Sequence, residues 1–266
     1  MWFNQSLTHQ FAFDHTVEAY TDARLRFDLS LVEAMADAAD LFPGDRVYEV
    51  GAGSGQLTDS LLAFGLEVTA NEPAPGMRGR LRARLADRVR IDPDTFETAA
   101  IPDGTFSAVF AANSFHWIDP AIAFEKAHRI LEPGGALGLV WNFSFLQPDA
   151  QGRLNASAFA SHDELMHDPG LGIDAFSEVM ASGRALIAAS GRFTPTWWDW
   201  RTLTRRLSLD EYANLTVSYA STAAEPPEVR EALRCAIHAD LGGLGLETVE
   251  ITDHVYAVVA RARTEP

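Results

Sequence analysis

Cysteine is nearly absent: Cys235 stands alone in 266 residues. No intrachain disulfide can form, which suits a reducing, cytoplasmic setting. Long apolar runs are missing as well. No stretch approaches the roughly 20 residues of a membrane span, so no membrane partner is expected. The opening MWFNQSLTHQ has neither a basic start nor an apolar centre, so no secretory leader is expected. Basic residues are few, with 21 Lys and Arg against 37 Asp and Glu, a formal net charge of −16. Such a surface repels phosphate backbones, so nucleic acid is not an expected partner. The excess acid chiefly serves solubility.

Two motif elements are also lacking. There is no G-x-S-x-G elbow around a nucleophilic serine, so a hydrolase is not indicated. After the apolar run VYEV the chain reads Gly51-Ala52-Gly53-Ser54-Gly55-Gln56, so Gln56 stands where the last glycine of G-x-G-x-x-G belongs. That departure argues against the pyrophosphate of a dinucleotide.

What is present is an ordinary globular balance, 47% hydrophobic and 22% charged residues, enough for one large or two small domains. Residues 28–42 carry apolar side chains at helical spacing and stop at Pro43-Gly44. RVYEV reads as a buried strand, residues 54–64 as a helix, LEVTAN as a second strand, and GMRGRLRARLA as a basic helix with a solvated face. RVRI, FSAVFAAN and ALGLVWN are further strands, with the helix AIAFEKAHRIL before Pro133-Gly134-Gly135. Apolar strands alternating with helices predict an α/β fold with a mostly parallel sheet covered on both faces. Residues 148–192 read as largely helical, an insertion over the C-terminal edge of the sheet. TPTWWDWRTLTRRL could be a strand, two helices follow around Glu225-Pro226-Pro227, and TVEITDHVYAVVARA is a closing strand or a bent hairpin. No linker divides the chain. A single domain over 1–266 is expected, with a core at about 28–142 and the insertion at about 147–192.

Ligands of open α/β sheets bind beyond the C-terminal strand ends. Glycines there permit positive φ and close backbone approach. Glu49, two places before the first glycine, suits a ligand with a positive group and would be awkward beside pyrophosphate. The pattern E-x-G-x-G-x-G resembles the first motif of class I S-adenosylmethionine-dependent methyltransferases. NEPAPGM, TFETAAIPDGTF, AANSFHWID and RILEPGGALGLVWN resemble the segments that follow in that family, over roughly residues 10–142. SFHWID with LVWN, and the upstream YTDAR, are similar to the branch of trans-aconitate methyltransferases and other small-molecule enzymes, often grouped as type 11.

The resemblance implies a Rossmann-like three-layer sandwich with a seven-stranded sheet in the order 3-2-1-4-5-7-6. It implies S-adenosylmethionine as cofactor, S-adenosylhomocysteine as product, and a small-molecule acceptor methylated on oxygen or nitrogen. Gly51, Ala52, Gly53 and Gly55 would pass beneath the amino acid and ribose, with Glu49 toward the ammonium and Glu72 gripping the ribose hydroxyls. Pro73, Met77 and Phe96 would border the adenine, Glu97 or Asp94 would accept from its amine, and Asn113 would line the loop after strand four. Tyr20 and Arg24 would approach the methionine end, Arg24 pairing with its carboxylate. His116 is the catalytic candidate, as general base or hydrogen-bond donor, though a packed residue is an alternative. Trp117, Trp141 and Asn142 are candidates for the acceptor pocket, and Trp141 could equally be core.

His162 and His167 are five apart, not the four that shares a helical face, and no metal is expected. Trp197, Trp198 and Trp200 are expected to pack between sheet and insertion, with an aromatic wall for an acceptor as the other reading. A carboxylate-rich acceptor would need arginines such as Arg184, Arg192, Arg201, Arg205 and Arg206 to converge. A homodimer is compatible with all of this. Two other functions stay open: a non-catalytic module that keeps the cofactor, and a dinucleotide-dependent oxidoreductase.

Overall fold

The computed structural model describes residues 24–146 and 173–264. Tyr20, His162 and His167 lie outside these residues, as does most of the expected insertion.

The chain runs α1 (Leu29–Ala38), β1 (Arg46–Val50), α2 (Gln56–Phe64), β2 (Glu67–Asn71), α3 (Pro75–Leu85), β3 (Arg90–Asp92), β4 (Phe106–Ala112), α4 (Pro120–Ile130) and β5 (Leu131–Leu146). It continues as α5 (Ile173–Ala189), β6 (Phe193–Ser208), α6 (Leu209–Val217), α7 (Ala220–Ala223), α8 (Pro227–Gly243) and β7 (Thr248–Ala262). Local chemistry sets many of the boundaries. Asp28 caps α1 by accepting from the Leu31 N–H at 2.8 Å, and Asp119 does the same for α4 ahead of Pro120. Ser208 and Glu211 form a capping box on α6.

The seven strands form one sheet in the order β3-β2-β1-β4-β5-β7-β6. The run β3-β2-β1-β4-β5 is parallel throughout, and β7 runs antiparallel between β5 and β6. The fold is the Rossmann-like arrangement that the motifs imply. Most of β1 is buried, as expected for a strand covered on both faces. One apolar cluster lies under α4 and α5, built from Phe96, Phe115, Phe124, Leu137, Leu139 and Trp141, among others. A second fills the opposite face under α1, α2 and α3.

Some expectations are corrected. TVEITDHVYAVVARA is one unbroken strand, because it pairs along its length with both β5 and β6. β3 starts at Arg90, since Ala86–Arg88 form a 3-10 turn first. The glycines at 134 and 135 do not separate α4 from β5. Leu131 already pairs with Phe106, and a register shift before Ala108 absorbs the extra residues. The tryptophans divide between faces, as alternation along a strand requires. Trp197 packs against the α1-side cluster, Trp200 against the α5-side cluster, and Trp198 is 55% exposed with the Arg184 guanidinium 4.5 Å above its ring.

β5, β6 and β7 are 16, 16 and 15 residues long, against 5 for β1 and β2. They therefore project past the C-terminal ends of the short parallel strands. A third cluster covers the projecting part: Leu146, Leu207, Val249 and Ile251 from the strands meet Tyr212, Leu215, Leu233, Ile237 and Leu241 from α6 and α8. This extension overhangs the strand ends where the loops after β1, β2 and β4 meet.

Candidate active site

The loop between β1 and α2 turns on left-handed glycines, Gly51 at φ +63° and Gly55 at φ +93°. A Cβ on Gly51 would sit 2.5 Å from the Ser114 Cβ, and one on Gly55 would sit 2.7 Å from the Leu81 side chain. Both positions therefore need glycine for backbone conformation and for space. The Ala52 N–H donates to the Asn71 carbonyl at 2.8 Å, tying the loop to the end of β2.

Glu72 follows β2 and is 6% exposed. One carboxylate oxygen accepts from the Gly53 N–H at 2.7 Å and the other from the Ala74 N–H at 2.8 Å. The side chain thus draws the glycine loop and the β2 loop together instead of facing bulk water.

Two recesses adjoin there, sharing Gly51, Ala112 and Asn113 in their walls. The larger is an open recess of about 710 Å³, a space that runs out into solvent, and its walls include Gly53, Glu72, Pro73, Met77, Phe96, Glu97 and Trp117. Glu97 is on the wall and Asp94 is not. Asp94 instead offers its carbonyl to the Asn71 amide at 2.6 Å. The Lys126 ammonium lies 5.3 Å over the Phe96 ring and donates to the carbonyls of Glu97 and Ala99 at 3.2 and 2.6 Å. These contacts fix the 95–99 turn against α4.

The smaller recess encloses about 370 Å³ and is walled by Arg24, Phe27, Glu49, Ala52, Gln56, Leu57 and Asn142 as well as the shared residues. Glu49 is 1% exposed and accepts from the Thr58 hydroxyl at 2.6 Å. Burial, with the charge of Glu72 adding, pushes its carboxyl up to about 8, although the Thr58 bond works the other way. Arg24 donates to the Ser218 hydroxyl at 3.1 Å and to the Ser218 carbonyl at 2.9 Å, and lies 4.5 Å over the Tyr219 ring. Asn113 has φ +51°, a left-handed conformation that asparagine tolerates. Its side-chain oxygen accepts from the Asn142 N–H at 2.9 Å.

His116 and Trp141 line neither recess. Trp141 is buried, stacked obliquely on Tyr256, and its Nε1–H donates to His116 Nδ1 at 3.3 Å. With Nδ1 accepting, the neutral imidazole carries its proton on Nε2. His116 is thereby set as a donor through Nε2, and taking a second proton, on Nδ1, would oppose two N–H groups across the Trp141 contact. The arginines do not converge. Arg192 pairs with Glu125, Arg201 with Asp199, Arg205 with Asp253 and Arg206 with Glu250, while Arg184 donates to the Tyr256 hydroxyl at 3.0 Å.

Residues 48–139 match the family described as "Methyltransferase domain". The match covers about a third of the chain. It holds the glycine loop, Glu72 and the walls of the larger recess. Among curated proteins, an uncharacterised methyltransferase of Mycobacterium bovis is 39% identical over 131 residues, covering 49% of this chain and 52% of its own. An uncharacterised methyltransferase-like protein of Schizosaccharomyces pombe is 30% identical over 133 residues, covering 49% and 51%. The chain thus spans about half the length of the curated relatives it matches. Among solved structures, a candidate type II methyltransferase from Anaeromyxobacter dehalogenans superposes with a TM-score of 0.60 at 17% identity, covering 89% of this chain and 97% of that one. A candidate methyltransferase from Bacillus halodurans gives 0.53 at 16% identity, covering 89% and 99%. At these identities the likeness is one of fold. The matched segment and the extension are joined through β5, which belongs to both.

Several residues that line the site or hold its walls were not among the expected site residues: Thr58, Asn71, Ser114, Lys126 and Ser218. Asn71 left a trace, a polar residue ending an apolar strand. Ser218 left none, since only the fold brings it to Arg24.

Proposed function

We propose that the protein is an S-adenosylmethionine-dependent methyltransferase that moves a methyl group to an oxygen or nitrogen of a small-molecule acceptor. The observation that carries this reading is a pair of buried carboxylates on adjoining recesses, Glu72 on the larger and Glu49 on the smaller, with the glycine loop between them.

The residues fit such a cofactor part by part. Glu72 stands on the wall of the larger recess, where a carboxylate can accept from both ribose hydroxyls. Pro73, Met77, Phe96 and Trp117 supply apolar contact for an adenine, and Glu97 an acceptor for its amine. A carboxyl as deeply buried as Glu49 is neutral unless a cation joins it, and the methionyl ammonium is such a cation. Arg24 in the same recess suits the adjacent carboxylate.

When bound, the cofactor supplies a methyl group already activated by a sulfonium sulfur. The chain's own work is to align the two partners, exclude water and orient the acceptor lone pair.

S-adenosylhomocysteine is expected to raise the melting temperature of the wild type and to leave Glu72→Ala unchanged. Label from the tritiated methyl of the cofactor should then appear in the small-molecule fraction of a metabolite extract. Tighter binding of a nicotinamide dinucleotide than of S-adenosylhomocysteine would overturn the reading.

A further inference from the structure

One buried side-chain oxygen in the site has no partner. Asn142 is 7% exposed and stands in the wall of the smaller recess with Glu49 and Arg24. Its N–H is used by Asn113, and its side-chain Nδ2 is 3.4 Å from Asp253 Oδ1. Its Oδ1 makes no hydrogen bond. A buried carbonyl oxygen left unpaired costs on the order of 1–3 kcal/mol, a cost that a bound donor removes.

The amide does not escape by turning over. Asp253 is fully buried on β7, opposite Ser144 in the register. Its carboxylate accepts from the Ser144 hydroxyl and from Arg205, Nε on Oδ2 and Nη2 on Oδ1, the latter at 3.2 Å. Paired with Arg205 it is an acceptor only. A turned amide would set Asn142 Oδ1 against Asp253 Oδ1 at the same short distance, two acceptors facing each other. Asp253 therefore dictates which end of the Asn142 amide is the unpaired oxygen.

Resting on the cofactor reading above, we infer that Asn142 Oδ1 is a built acceptor for the ammonium of the bound amino-acid moiety, and that Asp253 is the positioning residue that turns it there. Glu49 supplies the charge and Asn142 a second, directional oxygen. The acceptors at this end of the site then come from both parts of the protein, Glu49 from β1 and Asn142 from the extension. A ligand carrying a cationic N–H donor satisfies both oxygens; one without it leaves Asn142 Oδ1 unpaired.

The test compares S-adenosylhomocysteine with its des-amino analogue by calorimetry. Asn142→Leu is expected to weaken S-adenosylhomocysteine about tenfold while changing the analogue less than about twofold. Asn142→Ser, which shortens the side chain and stays polar, is expected to do the same if the leucine variant fails to fold. Asp253→Asn frees the neighbouring amide and should give a smaller loss of the same amine-selective kind. Equal losses for the two ligands, or none, would overturn the assignment even with the cofactor reading intact. Failure of the wild type to bind S-adenosylhomocysteine at all would overturn both.

Discussion

β1 and β2 stop where the glycine loop and Glu72 begin, whereas β5, β6 and β7 carry on past that line. The short parallel strands are apolar, and the site at their ends is made largely of backbone: glycine N–H groups, carbonyls, and carboxylates that hold loops. The long antiparallel strands alternate, with an inner layer of Asn142, Ser144, Asp253 and Arg205 bonded side chain to side chain and an edge strand bearing charged pairs, the usual protection of an exposed edge. A loop built on left-handed glycines and backbone bonds leaves little that can vary. A network of side chains can be rewritten without moving the sheet. The difference suggests where common chemistry and individual selectivity lie.

The largest effect should come from the backbone side of that contrast. Gly51→Ala forces a left-handed alanine and a contact with Ser114 that the loop cannot relieve. The expected cost is about 4 kcal/mol in stability, read by urea melts, with S-adenosylhomocysteine binding lost. Retained binding would mean the loop is more adaptable than its geometry indicates.

In the extension, Asp253→Ala leaves Arg205 without its carboxylate and Asn142 without its guide. A loss of about 3 kcal/mol is expected by the same melts. A loss below about 1 kcal/mol would show that the extension's polar layer is dispensable for folding.

The pH response sharpens the comparison further. The Glu49 carboxyl sits near 8 in the folded protein against 4.5 for an ordinary glutamate. Between those values the folded state holds a proton that the unfolded chain has released. Its contribution to stability is thus fully present below the ordinary range and is lost as pH rises toward 8. Glu49→Gln should remove that part of the slope. An ammonium ligand favours the ionised form, so affinity for S-adenosylhomocysteine should rise about tenfold from about pH 6.5 to 8.5, with proton release seen as buffer-dependent heat. Flat affinity would separate Glu49 from the ligand.

The smallest effect belongs to the edge. Arg206 and Glu250 pair at 2.9 Å but are 69% and 49% exposed. Arg206→Ala should change stability by about 0.5 kcal/mol or less, measured in a double-mutant cycle with Glu250→Ala.

Much of the backbone side was legible in the sequence. Alternating glycines after an apolar strand, an acid before them and an acid ending the next strand gave the loop, the two carboxylates and the strand order through one resemblance. Glu97 was legible only to within a few residues, because a turn without periodicity does not fix register. The long strands were half legible: TPTWWDWRTLTRRL read as a strand, but its length beyond the core and its partner did not.

By itself, the sequence determined the α/β class, the glycine turn and the acids flanking it, since these depend on local conformation and on order along the chain. Only the tertiary structure decided that Asp253 stands beside Asn142, that Ser218 holds Arg24, and that His116 accepts from Trp141. Those pairings join residues far apart in the chain. Their physical basis is burial: away from water each polar atom must find a partner, and which partner is near depends on how the sheet is assembled.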